Sequence, residues 1–365
     1  MTLILEDADV AKTLSMSDCI EAMETAFSDH ANGKAVNIPR IRYRSDTAKP
    51  EIRYGSNIHI GTTPSYSTAA VRIGGSAGPS DVNAHGMQTP RPKNRNWGFI
   101  CLISMETGEL LAIIQEFFLS GIRVGATSAL AAKYLAQPQA STLGILGSGK
   151  LARTNLEGLA LVRPIRKVKV FSPNPEHRKS FADEMSRRLE IEVMPVESAR
   201  ETVRGSAIVC CATNAGYVSG KPVCHGDWLE EGQLLITLQN SDANFKKSEV
   251  DDQAFIRSDN ICINDKESVY SDKQVELLDL IDKGLISWDK VHLLGDIITS
   301  KASIETGPKK IIYYKNNTGM GIQMSAAGAK IYQRALEKKL GHEVPTEWFG
   351  SELLSWYQKG YFPSP

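Results

Sequence analysis

Ser141-Thr142-Leu143-Gly144-Ile145-Leu146 is a short apolar run that ends directly on Gly147-Ser148-Gly149-Lys150-Leu151-Ala152, and a second apolar run, Lys167-Val168-Lys169-Val170-Phe171, follows after a helical stretch. Strand, glycine turn, helix and strand within about thirty residues form one βαβ unit. The G-x-G-x-x-A pattern alone arises often by chance, but here it leaves a strand and opens a helix. In that setting the first glycine makes the tight turn, the second lets a pyrophosphate approach the backbone, and Ala152 allows close packing of helix on strand. Amides at the helix N-terminus then face the phosphates, and the helix dipole favours their charge. A plain tight turn is the bland alternative, and the flanking pattern argues against it. Gly147, Ser148, Gly149, Lys150, Leu151 and Ala152 are therefore the expected cofactor contacts.

Alternation continues with a helix over 176–188 and strands over 191–194, 207–211 and 233–238. This predicts an α/β, Rossmann-type doubly wound parallel sheet with right-handed crossovers. Ahead of it, residues 16–33 carry helical spacing (Ile20, Met23, Phe27), extended runs occupy 69–73 and 98–103, and 120–135 is an alanine-rich helix ended by Gln137-Pro138. Residues 74–97 are rich in Gly, Ser, Asn and Pro, and a connection of that length in a compact domain marks a lid or mobile loop. The last helix, 319–340, ends at Gly341, and Ile322, Ala326, Ala329 and Ile331 give it a face to pack on another body. A chain of 365 residues holds roughly two domains. The expected division is a dinucleotide-binding domain over 137–316, with 1–136 and 317–365 joining into a second α+β domain for substrate binding and dimerisation. Two chain crossings between them suit a hinge.

At the end of the second strand an NAD enzyme usually presents Asp or Glu to the ribose hydroxyls. This chain has Phe171-Ser172-Pro173-Asn174-Pro175-Glu176-His177-Arg178 instead. Ser172 and Asn174 can donate to a phosphate and Arg178 can pair with it, so NADP(H) is favoured over NAD(H). A solvated Arg178 on the second helix is the alternative.

Apolar residues make up 42% and charged ones 23%, with 42 Lys+Arg against 42 Asp+Glu. That balance argues against disorder and against a basic nucleic-acid binder. The N-terminus lacks a cationic start before an apolar run, and no uncharged stretch approaches the ~20 residues a membrane helix needs; a soluble cytoplasmic protein is expected. The six cysteines show no C-x-x-C pair and the seven histidines no H-E-x-x-H, so buried reduced thiols and no metal are expected.

The chain resembles the ornithine cyclodeaminase and mu-crystallin family over almost its whole length. The resemblance rests on Pro39-Arg40, on the segment 106–112, on the run from Gly121-Ile122-Arg123 to Ala136, and on the fingerprint at Gly147. It rests also on Ala212-Thr213-Asn214 and on Lys315-Asn316-Asn317-Thr318-Gly319-Met320-Gly321. It implies an NAD(P)-dependent enzyme acting on an amino acid or its imine, a homodimer built through the N-terminal domain, with substrate between the domains. Hydride exchange at an alpha carbon bearing nitrogen is the common chemistry.

Such a reaction needs the substrate carboxylate held by planar guanidinium forks. The resemblance puts Arg123 at the family's carboxylate-binding arginine, Arg40 at the arginine after proline, and Arg72 where cyclodeaminases carry lysine. Arginine does not shuttle protons as lysine can, but it clamps an anion. Arg123 stands among Gly121, Ile122, Val124, Gly125 and Ala126, where an unpaired buried charge costs several kcal/mol, roughly, so an anionic partner is implied. Arg40 and Arg72 are equally open to a surface or dimer salt bridge. The family's proton-carrying aspartate corresponds most nearly to Asp242, in Asn240-Ser241-Asp242 where Gly-Ala-Asp is usual; a helix cap is the equal alternative. Thr213 and Asn214 lie at a strand end where ribose and nicotinamide should pass, and family comparison puts Thr127 near the phosphates. Asn317 and Thr318 either close over the nicotinamide or cap the last helix.

The leading expectation is an amino acid dehydrogenase or imine reductase, with Arg123 and Asp242 catalytic and Arg40 and Arg72 assisting. An ornithine cyclodeaminase using bound NAD is the enzymatic rival, weakened by Arg72 and by the altered Gly-Ala-Asp. A non-catalytic mu-crystallin-like ligand binder is the third reading.

Overall fold

The computed structural model describes residues 1–79, 97–215, 220–241 and 248–351. The N-terminal part runs through β1 (Thr2–Leu5), α1 (Asp7–Thr13), α2 (Met16–Ala31), β2 (Asn37–Asp46), β3 (Ile52–Thr63), β4 (Thr68–Pro79), β5 (Trp97–Ser104), β6 (Leu110–Gln115) and α3 (Phe117–Leu135). The middle contains β7 (Thr142–Leu146), α4 (Lys150–Val162), β8 (Lys167–Phe171), α5 (Pro175–Leu189), β9 (Glu192–Pro195), α6 (Ala199–Val203), β10 (Ile208–Cys211) and β11 (Leu234–Thr237). Then come α7 (Asp252–Arg257), β12 (Asn260–Ile263), α8 (Lys266–Ser271), α9 (Val275–Asp282), β13 (Val291–Leu293), α10 (Leu294–Ile298), β14 (Ile312–Lys315), α11 (Gly321–Lys338) and β15 (His342–Val344).

These strands form two sheets, ordered β15-β1-β6-β5-β4-β3-β2 and β13-β12-β14-β11-β10-β7-β8-β9. Every pairing in the second sheet is parallel. Its central strands are apolar on both faces, and all four residues of β10 and of β11 are buried, as helices on both sides require. The connection direction reverses between β7 and β10, and ligands of open α/β sheets bind in the crevice above such a point.

The first sheet is mixed, since β1 pairs parallel with β6 while the pairs from β2 to β6 are antiparallel. Its inner face is covered by α11, whose Ile322, Ala326 and Ile331 are fully buried. One apolar cluster runs from Leu3 and Leu102 through Ala126 and Leu130 of α3 to Leu143 and Val168 of the parallel sheet. Helix α3 thus carries side chains from one sheet's core into the other's.

Several elements differ from expectation. Strand β4 continues to Pro79 and takes in Gly74, so the expected 74–97 loop begins later; 80–96 lie outside the described residues. Helix α3 starts at Phe117, and three further strands, β12 to β14, follow β11. Runs of three or four residues such as Val291–Leu293 are too short for a period to show.

Candidate active site

Gly147 has φ +110°, and a β-carbon there would lie 2.3 Å from the Ala212 carbonyl oxygen, so the turn admits only glycine. The Gly147 amide donates to Phe171 O (2.8 Å) and the Ala212 amide to Leu146 O (2.8 Å), which draws the ends of β7, β8 and β10 together. Gly149 is the N-cap of α4 and a β-carbon on it would meet nothing within 4 Å. Backbone amides of the first helical turn therefore border open space, the arrangement that holds a dinucleotide pyrophosphate. Ser148 and Leu151 are half-buried, and Ala152 packs fully inside. Lys150 turns elsewhere: its ammonium lies 3.6 Å over the Phe117 ring and donates to Phe117 O (3.0 Å). It thereby ties α4 to the start of α3.

Two of the residues expected beyond β8 carry structural duties. Asn174 Oδ1 accepts from the amides of Glu176 (2.9 Å) and His177 (3.1 Å), so it caps α5, and its carbonyl is committed there. Arg178 is buried, with Nη1 donating to Ser172 O (3.2 Å), Nη2 paired with Glu197, and its guanidinium 5.6 Å from the Phe171 ring. It is not a solvated helix residue.

The three arginines from the other half converge. Arg72 on β4 faces His59 on β3 in register, with Arg72 Nη1 3.5 Å from His59 Nδ1. Its Nη2 donates to Glu116 Oε1 at 2.7 Å. Gly74 and Gly98, paired across β4 and β5, leave the room for this ion pair: β-carbons there would sit 2.6 Å from Arg72 Nη2 and 2.7 Å from Glu116. Arg40 pairs with Asp272. Arg123, on α3, donates from Nη1 to Gln323 Oε1 (3.1 Å), and its buried Nε has no hydrogen-bond partner among the described residues. A β-carbon at Gly319 would lie 3.3 Å from both Arg123 Nη atoms and from His59 Nε2. Burial pulls the Arg123 pKa down to about 10. Burial, then the charges of Arg40, Arg72 and Arg123, hold His59 well below its ordinary value, so its imidazole is neutral. Arg40 and Arg72 pair with carboxylates, while the Arg123 hydrogen bond goes to a neutral amide and the Glu116 carboxylate, already bonded to Arg72, acts on it only through space; the cluster can therefore take a further anion.

At the carboxyl edge of the parallel sheet, Glu249 is 1% exposed and accepts four hydrogen bonds. Thr213 N (2.7 Å) and Thr213 Oγ1 (2.8 Å) donate to Oε1, and the amides of Leu238 (2.8 Å) and Gln239 (2.9 Å) to Oε2. Burial raises its pKa to about 7 against the pull of those donors. Asn214, next to Thr213, is exposed. Buried Lys315, paired with Glu276 at 2.7 Å, also binds Asn240, and the Ser241 amide donates to Glu276 Oε1 (3.0 Å). Residues 238–241 are thus anchored one after another. Asp242 lies outside the described residues.

Thr127 is a correction. It is fully buried, donates to Arg123 O (2.8 Å) and accepts from Gln323 Nε2 (2.9 Å), which leaves it supporting Arg123 from behind with no surface for a phosphate. Asn317 is also fully buried, bonded to the Asn264 amide (2.7 Å) and to Asp265 O (3.0 Å). It neither caps α11 nor reaches open space. Sequence reasoning missed His59, Glu116, Glu249 and Gln323. The glycines within β4 and β5 were the available signal, since a strand glycine often marks a close approach.

The sequence profile of the ornithine cyclodeaminase/mu-crystallin family matches residues 1–339. The chain belongs to this family. Alanine dehydrogenase of Archaeoglobus fulgidus is 27% identical over 345 residues, which cover 94% of this chain and 98% of that one. Delta(1)-pyrroline-2-carboxylate reductase of Thermococcus litoralis, solved with NADH and L-proline, is 28% identical at a TM-score of 0.80, covering 94% of this chain and 100% of that chain. An archaeal alanine dehydrogenase dimer with bound NAD is 26% identical at a TM-score of 0.78, covering 94% and 99%. Arg72, expected to depart from a cyclodeaminase lysine, is committed to Glu116.

Proposed function

We propose that this chain is an NAD(P)-dependent oxidoreductase that interconverts an α-amino acid, or an N-substituted one, and its imine or keto partner. The observation that carries the reading is Arg123, a buried guanidinium whose hydrogen bond goes to a neutral amide, beside His59 and within the field of Arg40 and Arg72. Its fork would hold the substrate carboxylate, with Arg72 and Arg40 adding positive potential. A dinucleotide held by its pyrophosphate at the Gly147 turn would extend its nicotinamide past Thr213 and Asn214, to supply or take the hydride at the carbon bearing nitrogen. Neutral His59 stands beside Arg123 at Gly319 without competing for the acid. The proton moved to or from nitrogen is assigned to Asp242, directly after the anchored residues Asn240 and Ser241. Thr213 and Asn214 are assigned to the cofactor's ribose and nicotinamide side, with Glu249 holding Thr213 in place.

NADP(H) is preferred over NAD(H), a reading supported by the missing carboxylate at the end of β8 and by Arg178 beside Ser172. The division into 137–316 and 1–136 with 317–365 is supported by the partition of strands between the sheets. A homodimer is supported by the outer face of the first sheet, where Ile38, Ile41, Tyr43, Trp97 and Phe99 are exposed. A reducing, cytoplasmic setting suits the six free cysteines, five of them buried.

Cyclodeamination is the weaker reading, because an arginine paired with Glu116 cannot relay protons as a lysine would. Purified chain given NADPH, ammonia or methylamine and a panel of keto acids should consume the cofactor. Ammonia release from ornithine with NAD and no lasting reduced cofactor would instead identify a cyclodeaminase, and dinucleotide binding without any turnover a binding protein.

A further inference from the structure

We propose that Glu197, on the segment after β9, is a specificity-determining residue that competes with the 2′-phosphate of NADP(H) for the Arg178 guanidinium. The inference rests on the dinucleotide reading above and deepens it. Arg178 lies in the first turn of α5, where its fork points back across the end of β8: Nη1 donates to Ser172 O and Nη2 meets the Glu197 carboxylate. The two partners are unequal. The Arg178 side chain is 8% exposed, whereas Glu197 is 84% exposed. The guanidinium is therefore a fixed, buried fixture, packed over Phe171, and the carboxylate is the replaceable part.

In the common dinucleotide fold the end of the second strand decides between the two cofactors. A carboxylate accepts from the adenosine ribose hydroxyls, or an arginine receives the 2′-phosphate. Here the second strand ends in Phe171 and Ser172 and offers no carboxylate. The chain places one at the same corner from the neighbouring strand, and places it on the arginine. With Glu197 on Arg178 the guanidinium is neutralised and the corner presents an acceptor for free hydroxyls. With Glu197 swung into solvent, the in-plane N–H edge is open to a phosphate. Asn174, engaged at the α5 N-terminus, contributes its carbonyl to neither state. Because carboxylate and phosphate are both anions aimed at one fork, each weakens the other's binding there.

The test is a titration of the full-length chain with NADPH and with NADH, followed by nucleotide fluorescence at fixed ionic strength. Glu197→Gln removes the competing charge at an exposed position where folding is not at stake. It should tighten NADPH by ~10-fold, as expected for relief of like-charge repulsion across a few ångströms of partly solvated surface, and shift NADH by less than about twofold. Arg178→Met in the Glu197→Gln background should abolish the gain for NADPH. Equal shifts for both nucleotides, or no shift for either, would overturn the inference while leaving the cofactor reading intact. Failure of the unaltered chain to bind either nucleotide would overturn the cofactor reading and this inference with it.

Discussion

The burial of Arg123 was legible in the sequence because its neighbours in the chain are small and apolar. Its neighbours in space were not legible. Glu116 is 44 positions from Arg72 in the chain, and nothing local marks the two as partners; the β4–β5 and β5–β6 registers together create the contact. The pair makes a testable statement about charge balance. Glu116→Gln would leave Arg72 uncompensated beside Arg123 and His59, a loss expected to cost about 3 kcal/mol for a buried pair broken from one side. Urea unfolding of this variant should show a drop of that order, and unchanged stability would mean that Arg72 finds another anion. His59 is governed by the same balance. Its pKa is held below the ordinary 6.5, so as pH falls through 6.5 the unfolded chain takes up the proton first and stability declines.

Elements were readable where period and punctuation agree. The strand–glycine–helix unit at β7–α4 emerges from pattern and α3 from its alanine-rich helix propensity, and Asn174-Pro175 announces the start of α5 in hindsight as a cap followed by proline. The order of strands was less accessible: β14 enters between β11 and β12, a placement set by packing and not by sequence proximity. Glu249 joins the ends of β10 and β11 and has no local signature either. Its folded pKa of about 7 lies above the ordinary 4.5, so between pH 4.5 and 7 the native chain keeps a proton that the unfolded chain has released. Stability therefore falls as pH rises through that window, by roughly 3 kcal/mol in all. Unfolding measured from pH 4.5 to 8 should show this negative contribution, and Glu249→Gln should remove it. A Glu249→Gln variant whose pH slope matches that of the unaltered chain would show that the carboxylate is ionised throughout.

At the scale of the molecule, α3 and α11 bring an arginine cluster from a mixed sheet to the carboxyl edge of a parallel one. Two-part architecture was predictable from the change of pattern near 137, whereas the meeting of Arg40 with Asp272 depends on how the halves dock. The outer face of the mixed sheet, exposed among the described residues at Ile41 and Phe99, bears on assembly. Ile41→Glu with Phe99→Lys places charges on the edge strand β2 and on β5 and should convert a dimer to monomers in sedimentation equilibrium; a dimer that survives both would put the interface elsewhere. The most direct measurement concerns Arg123→Met, assayed in one preparation for dinucleotide affinity and for turnover of the carboxylate substrate. The expected result is a loss of turnover of ~1,000-fold or more with dinucleotide affinity within about twofold of the unaltered chain. Retained turnover, or an equal loss of dinucleotide affinity, would contradict the assignment of this buried guanidinium to the substrate's acid group.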